Sequence, residues 1–109
     1  MQATSFPKPA KVLSLEGQID LHVSPEVSAS LAAVIDEQPS RLVVDLSGVS
    51  YIDSSGLAAL ITGAKNVETY GGKFMLASVQ PDVQSILEIA RLNQFFLVYP
   101  HVDAALAAT

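Results

Sequence analysis

The chain contains no cysteine, which removes disulfides, thiolate metal sites and cysteine nucleophiles together. Histidine is almost as scarce. His22 and His101 lie far apart and lack the HExxH-like spacing that brings two imidazoles to one metal, so no metal site and no cofactor is expected. Lysine and arginine number six and are scattered singly, without a stripe or cluster, so no nucleic-acid partner is expected. No apolar run is long enough to cross a bilayer, and no membrane association is expected. The opening MQATSFPKPAK has no apolar stretch close behind its lysines, so it does not read as a secretory leader, and a cytoplasmic domain is expected. A glycine-rich loop ending in Lys-Ser/Thr is missing too, which excludes one large class of phosphoryl-transfer enzyme.

What the sequence has in quantity is apolar material. Half of its 109 residues are hydrophobic, enough for one real core, and the formal net charge of -5 mainly favours solubility. A single domain over residues 1–109 is expected, with residues 1–10, bearing two prolines and no period, as a loose arm or a short edge strand around Phe6.

Val12, Leu13 and Leu15 make a short apolar run ending at Glu16-Gly17, which predicts a strand, with Ile19 continuing it and Asp20 at its exit. Ser24-Pro25-Glu26 has the form of a helix start, with serine as N-cap, proline in the first turn and an acid to meet the helix dipole. Val27, Leu31, Val34 and Ile35 follow at helical spacing, and Pro39 lies just past the end. Leu42 to Leu46 predicts a second strand buried on both faces, as in a parallel or mixed sheet. Leu57, Leu60, Ile61, Ala64 and Val67 predict an amphipathic helix that Gly71-Gly72 stops. Phe74 to Ala77 is a third strand, Pro81 opens a third helix with Val83, Ile86, Leu87 and Ala90 inward, Phe95 to Val98 is a fourth apolar segment, and Val102 to Ala108 is a final helix. Strands alternating with helices of this length predict an α/β layer architecture.

The stretch Tyr51 to Leu57, YIDSSGL, stands where a strand gives way to a helix. Local physics offers Ser54 or Asp53 as the cap of that helix, worth about 1 kcal/mol. It also offers Ser54 as a presented hydroxyl. A phosphoryl group there lies at a helix N-terminus and adds a charge of roughly -1.5 to -2 beside Asp53. Asp20, if it ends the neighbouring strand, sharpens the repulsion, and Gly56 is expected to keep the approach open. The helix that follows carries small residues, Ala58, Ala59, Thr62 and Gly63, at positions expected to face outward, which predicts a flat docking face unless another helix of the domain covers it.

Enzyme chemistry finds little support. A serine hydrolase needs G-x-S-x-G and a later histidine, whereas the sequence around Ser54 is I-D-S-S-G with only His101 downstream. An aspartyl-phosphate receiver needs an acidic cluster with a lysine on a later strand, and Asp45 and Asp53 do not form it. No catalytic residue is expected.

Several pieces taken together resemble the STAS family: GQID at Gly17 to Asp20, LVVDLSGVSYIDSSGLAAL from Leu42, GGKFMLASVQPDVQSILEIARL from Gly71, and the F-x-V-Y segment after it. More narrowly they resemble the bacterial anti-sigma factor antagonists, over about Val12 to Ala108. The resemblance implies a mixed sheet of four to five strands flanked by about four helices. It implies a partner-switching mechanism in which Ser54 is phosphorylated by an anti-sigma factor serine kinase with a histidine-kinase-like ATP site, the unphosphorylated form binding that kinase and the phosphorylated form releasing it. Ser55, the second hydroxyl, is the alternative acceptor. A metal-dependent PPM-class serine phosphatase resets the switch, Asp20 and Asp53 are the acids matching the family pattern, and the chain is expected to be a monomer. The same family also includes scaffold subunits and transporter-associated regulatory modules, in which Ser54 is only a cap. The segment ahead of Lys11 departs from relatives with a full first strand, being short and proline-bearing.

Overall fold

A computed structural model of the chain describes residues 9–108. Four strands and four helices alternate: β1 (Lys11–Ile19), α1 (Ser24–Ile35), β2 (Arg41–Ile52), α2 (Ser54–Thr69), β3 (Lys73–Ala77), α3 (Pro81–Ile89), β4 (Leu97–Tyr99) and α4 (Val102–Ala107). The strands lie in sequence order, β1-β2-β3-β4, and each neighbouring pair is parallel. The sheet of the described residues is therefore parallel rather than mixed, and four-stranded. The edge strand expected around Phe6 lies outside the described residues.

Right-handed crossovers that step one way along a sheet put successive helices on one face. The apolar contacts follow that rule. Leu42, Val44 and Leu46 of β2 and Phe74 and Leu76 of β3 form one core with Val27 and Leu31 of α1, Leu57 and Leu60 of α2, and Val83 and Leu87 of α3. The alternate residues, Val43, Met75 and Ala77, point to the other face and are covered by Ala105 of α4. A strand buried on both sides reads as an unbroken apolar run, which is why Leu42-Val43-Val44 lacks alternation.

β2 is longer than its apolar run. It continues through Gly48 to Ile52, paired only with β1 once β3 ends opposite Asp45. Register shifts between Ser14 and Glu16 and between Gly17 and Gln18 let eleven residues of β2 run beside nine of β1. Gly17 sits within this stretch at φ 83°, a backbone region that glycine enters without a Cβ penalty. The result is a two-stranded ribbon that carries the carboxyl ends of β1 and β2 beyond the other two strands.

Two helix ends show how the loops are closed. After α2, Gly72 N–H donates to Val67 O and Gly71 N–H to Glu68 O, with Gly71 at φ 85°, the paired bonds of a Schellman motif. At the far end of the sheet the Arg41 guanidinium donates to Leu106 O and Ala108 O, tying the start of β2 to the end of α4.

Candidate functional site

The β1 and β2 ends meet side by side. Ile19 pairs with Ile52, and the next residue of each strand is an aspartate, Asp20 and Asp53. Asp53 N–H donates to Ile19 O at 3.0 Å, which holds the two strand exits together. Each aspartate then organises the segment that follows it.

Asp53 is the N-cap of α2. Its Oδ1 accepts from Ser55 N–H at 2.9 Å, Gly56 N–H at 3.2 Å and the Ser55 hydroxyl at 2.6 Å. The Ser55 hydroxyl is the main cause that holds the Asp53 carboxyl below the ordinary carboxylate range. The Gly56, Ser55 and Leu21 amides add to it, against a smaller opposing effect of burial. Asp20 does the corresponding work before α1. Its Oδ1 accepts from His22 N–H at 2.9 Å and Val23 N–H at 3.3 Å, and its carbonyl accepts from Ser24 N–H at 2.8 Å. Asp20 is thus at the end of the strand beside Asp53, as the argument from charge required.

The serine expected to cap α1 does not. Val23 occupies the N-cap position without a side-chain bond, and Ser24 is inside the helix and buried. The amides that a serine cap would serve, those of Glu26 and Val27, donate to Val23 O instead, and the Asp20 turn takes up the Ser24 amide.

Ser54 is the first residue of α2 and is exposed, and no side-chain hydrogen bond engages its hydroxyl among the described residues. Ser55 is only partly exposed, and its hydroxyl is spent on Asp53. The cap is therefore Asp53, which leaves Ser54 without a structural task at the helix start.

Gly56 does something other than keep the approach open. It is buried, and a Cβ there would stand 2.6 Å from Ile52 Cγ1 and 2.7 Å from Ile19 Cγ2. Glycine lets the first turn of α2 sit directly on the last residues of both strands, and that contact sets Ser54 at the rim. The expected outward face of α2 is also corrected in part. Ala58 and Thr62 are exposed, but Ala59 and Gly63 are buried. A Cβ on Gly63 would lie 3.2 Å from Phe74 Cε2 and 3.5 Å from Leu31 Cδ1. These small residues let α1 and β3 approach α2 closely. Half of the small-residue pattern is core packing, because α1 of the same domain covers it.

The fold that carries these strand exits has counterparts among known proteins. The family model described as the STAS domain matches residues 2–105. The chain belongs to the STAS domain family. Bordetella bronchiseptica has a relative, BtrV, bearing the name of an anti-sigma factor antagonist, 31% identical over 97 residues, with 89% of this chain and 84% of that protein covered. A solved anti-sigma factor antagonist from Mycobacterium paratuberculosis superposes with a TM-score of 0.79 at 30% identity, covering 87% of this chain and 80% of the other. A sulfate transporter family protein of Wolinella succinogenes has the same fold, with a TM-score of 0.79 at 23% identity over 95% of this chain and 87% of the other. No helix of the described residues of this STAS domain is long and apolar enough to cross a membrane.

One residue of the site escaped the sequence. Leu21 lies between two polar neighbours in the Asp20 turn, and its amide helps to lower the Asp53 carboxyl. Its side chain is 71% exposed. A leucine in a short polar turn has no period to betray it, and the interruption between Asp20 and His22 was the only signal available.

Proposed function

We propose that this STAS domain is an anti-sigma factor antagonist that acts by partner switching, with Ser54 as the phosphorylation site. The observation that carries the proposal is the division of labour in D-S-S-G. Asp53 caps α2, Ser55 is bonded to Asp53, and Ser54 alone of the two serines combines exposure with a hydroxyl that bonds to no other described residue. The names of its relatives support the antagonist role.

The unphosphorylated form binds an anti-sigma factor serine kinase with a histidine-kinase-like ATP site. In the transfer step Ser54 Oγ attacks the γ-phosphorus of ATP held by that kinase. The Oγ–P bond forms as the bond to the bridging oxygen breaks, ADP leaves, and the hydroxyl proton passes to the kinase or to water. The new phosphoryl group stands beside the Asp53 carboxylate and near the Asp20 turn, so the surface that the kinase bound acquires a concentrated negative charge and the complex separates. A PPM-class serine phosphatase returns the hydroxyl by hydrolysis. Ala58 and Thr62, the exposed pair on the first turns of α2, flank Ser54 on the contacted surface, and the chain acts as a monomer.

The test is phosphorylation of the purified chain by the serine kinases of its source organism, read by intact mass and by sequencing of the modified peptide. One phosphoryl group on Ser54, absent from Ser54→Ala, together with weaker kinase binding by Ser54→Asp, is expected. Kinase binding that is indifferent to both substitutions would overturn the switch and leave the role of a scaffold or transporter-associated module.

A further inference from the structure

Leu21 is a large apolar side chain held in water by a rigid turn. Two amides on Asp20 Oδ1 fix the backbone around it, and its own amide faces the Asp53 carboxylate. Asp20 thus places Leu21 and Asp53 places Ser54, and the Asp53 N–H bond to Ile19 O holds the two corners together. A single exposed leucine is ordinary on most surfaces. Here its backbone is already fixed in a turn next to the start of α2, so a partner that buries it has only the side chain left to order.

The charge around it is one-sided, and the parallel topology is the reason. Lys11, Arg41 and Lys73 begin their strands, Lys65 is in the second half of α2, and Arg91 follows α3. All five lie toward the end of the sheet opposite to Ser54. The Ser54 end instead carries Asp20, Asp53 and the first-turn acids Glu26 of α1, Asp82 of α3 and Asp103 of α4, with no lysine or arginine among the described residues and only the His22 and His101 imidazoles as bases. An acidic partner surface is repelled from this end, and a basic one is steered to it.

We infer that Leu21 is the apolar anchor of the kinase contact, entering an apolar pocket of a kinase surface that is otherwise basic. The inference rests on the antagonist reading and adds to it the chemistry of the partner. It also accounts for release. Closing the pocket over Leu21 strips water from the Asp53 corner, and a dianion at Ser54 resists that loss of water far more than a hydroxyl does.

The test measures binding of the unphosphorylated chain to each purified anti-sigma serine kinase of the source organism, by calorimetry, for the unsubstituted protein, Leu21→Ala and Ile89→Ala. Ile89 is the control, being even more exposed at 84% but at the far end of α3. Leu21→Ala is expected to weaken binding about tenfold or more, as for a buried anchor, while Ile89→Ala leaves it unchanged. Raising salt from about 50 mM to about 500 mM is expected to weaken binding of the unsubstituted chain. Equal effects of the two substitutions, an undiminished affinity of Leu21→Ala, or tighter binding in salt would overturn the anchor. Ser54 phosphorylation is followed by mass in the same samples. Phosphorylation with undiminished Leu21→Ala binding removes the anchor and leaves the switch. Absence of binding to every kinase removes both.

Discussion

At the scale of single residues, two carboxylates, one within β2 and one at its exit, are held low by different neighbours. Asp53 is held ionised by the Ser55 hydroxyl and the amides at the start of α2. Asp45, farther back in β2, is lowered mainly by the Ser47 amide, against a smaller effect of burial, with the Ser47 and Ser14 hydroxyls helping. The Ser14 hydroxyl donates to Asp45 Oδ2 at 3.2 Å and so joins β1 to β2 below the ribbon. Both carboxyls titrate lower in the folded chain than in the unfolded one. Their stabilisation is therefore fully present above the ordinary carboxylate value of about 4, and is lost as pH falls through the depressed folded values. Urea unfolding followed from about pH 6 to about pH 3 is expected to show a loss of stability that is smaller in Asp53→Asn and in Asp45→Asn. Acid limbs parallel to that of the unsubstituted chain would show that neither carboxylate contributes. The cap at Asp53 was open to reading from sequence only as a choice between two neighbours. The choice depended on which side chain turned back to the amides, and a strand exit of fixed direction, not composition, decides that.

At the scale of elements, what periodicity and helix-stop signals mark was legible and what a register shift makes was not. Gly71-Gly72 ends α2 by a paired-bond turn, as expected from two glycines. The same turn ends α3, where Arg91 N–H donates to Glu88 O and Leu92 N–H to Leu87 O, but its left-handed position holds Arg91 at φ 61°. No glycine announces that stop, so the expected inward run to Ala90 overshoots a helix that ends at Ile89. The extension of β2 to Ile52 was equally hidden, because Ser47, Gly48 and Ser50 look like a loop and become strand only through pairing with the bulged β1. Phe95 and Phe96 look like strand and lie in a turn, with Phe96 in the core and Phe95 packed edge-on against it at 4.9 Å between ring centres. The strained turn gives its own prediction. A left-handed non-glycine residue costs roughly 1–2 kcal/mol, partly offset by the greater freedom of glycine when unfolded, so Arg91→Gly is expected to stabilise by about 0.5–1 kcal/mol. Thermal unfolding should shift up by a few degrees, and a lower midpoint would mean that the arginine side chain stabilises more than its backbone costs.

At the scale of the whole molecule, the sheet divides the domain into two faces with separate duties. One face packs α1, α2 and α3 and has Ser54 at its carboxyl rim. The other is covered by α4, a helix of six residues that is too short to persist without packing. Its contact area is small, with Ala105 as its buried side chain against Val43, Met75 and Ala77. The Arg41 guanidinium, donating to two carbonyls at the end of α4, is the tie that compensates. Charged hydrogen bonds of this kind contribute about 1.5–3 kcal/mol where water is partly excluded. Arg41→Ala is expected to raise amide exchange throughout α4 and to lower global stability by about 1–2 kcal/mol, since the carbonyls regain water once released. Ser54, at the other end of the strands and on the other face, should be phosphorylated by the same kinase at an unchanged rate. The two readouts separate a local tie from a global one. A slowed transfer to Ser54 in Arg41→Ala would mean that the faces communicate through β2. Exchange in α4 that stays at its original level would mean that Val43 and Met75 hold the helix without the arginine.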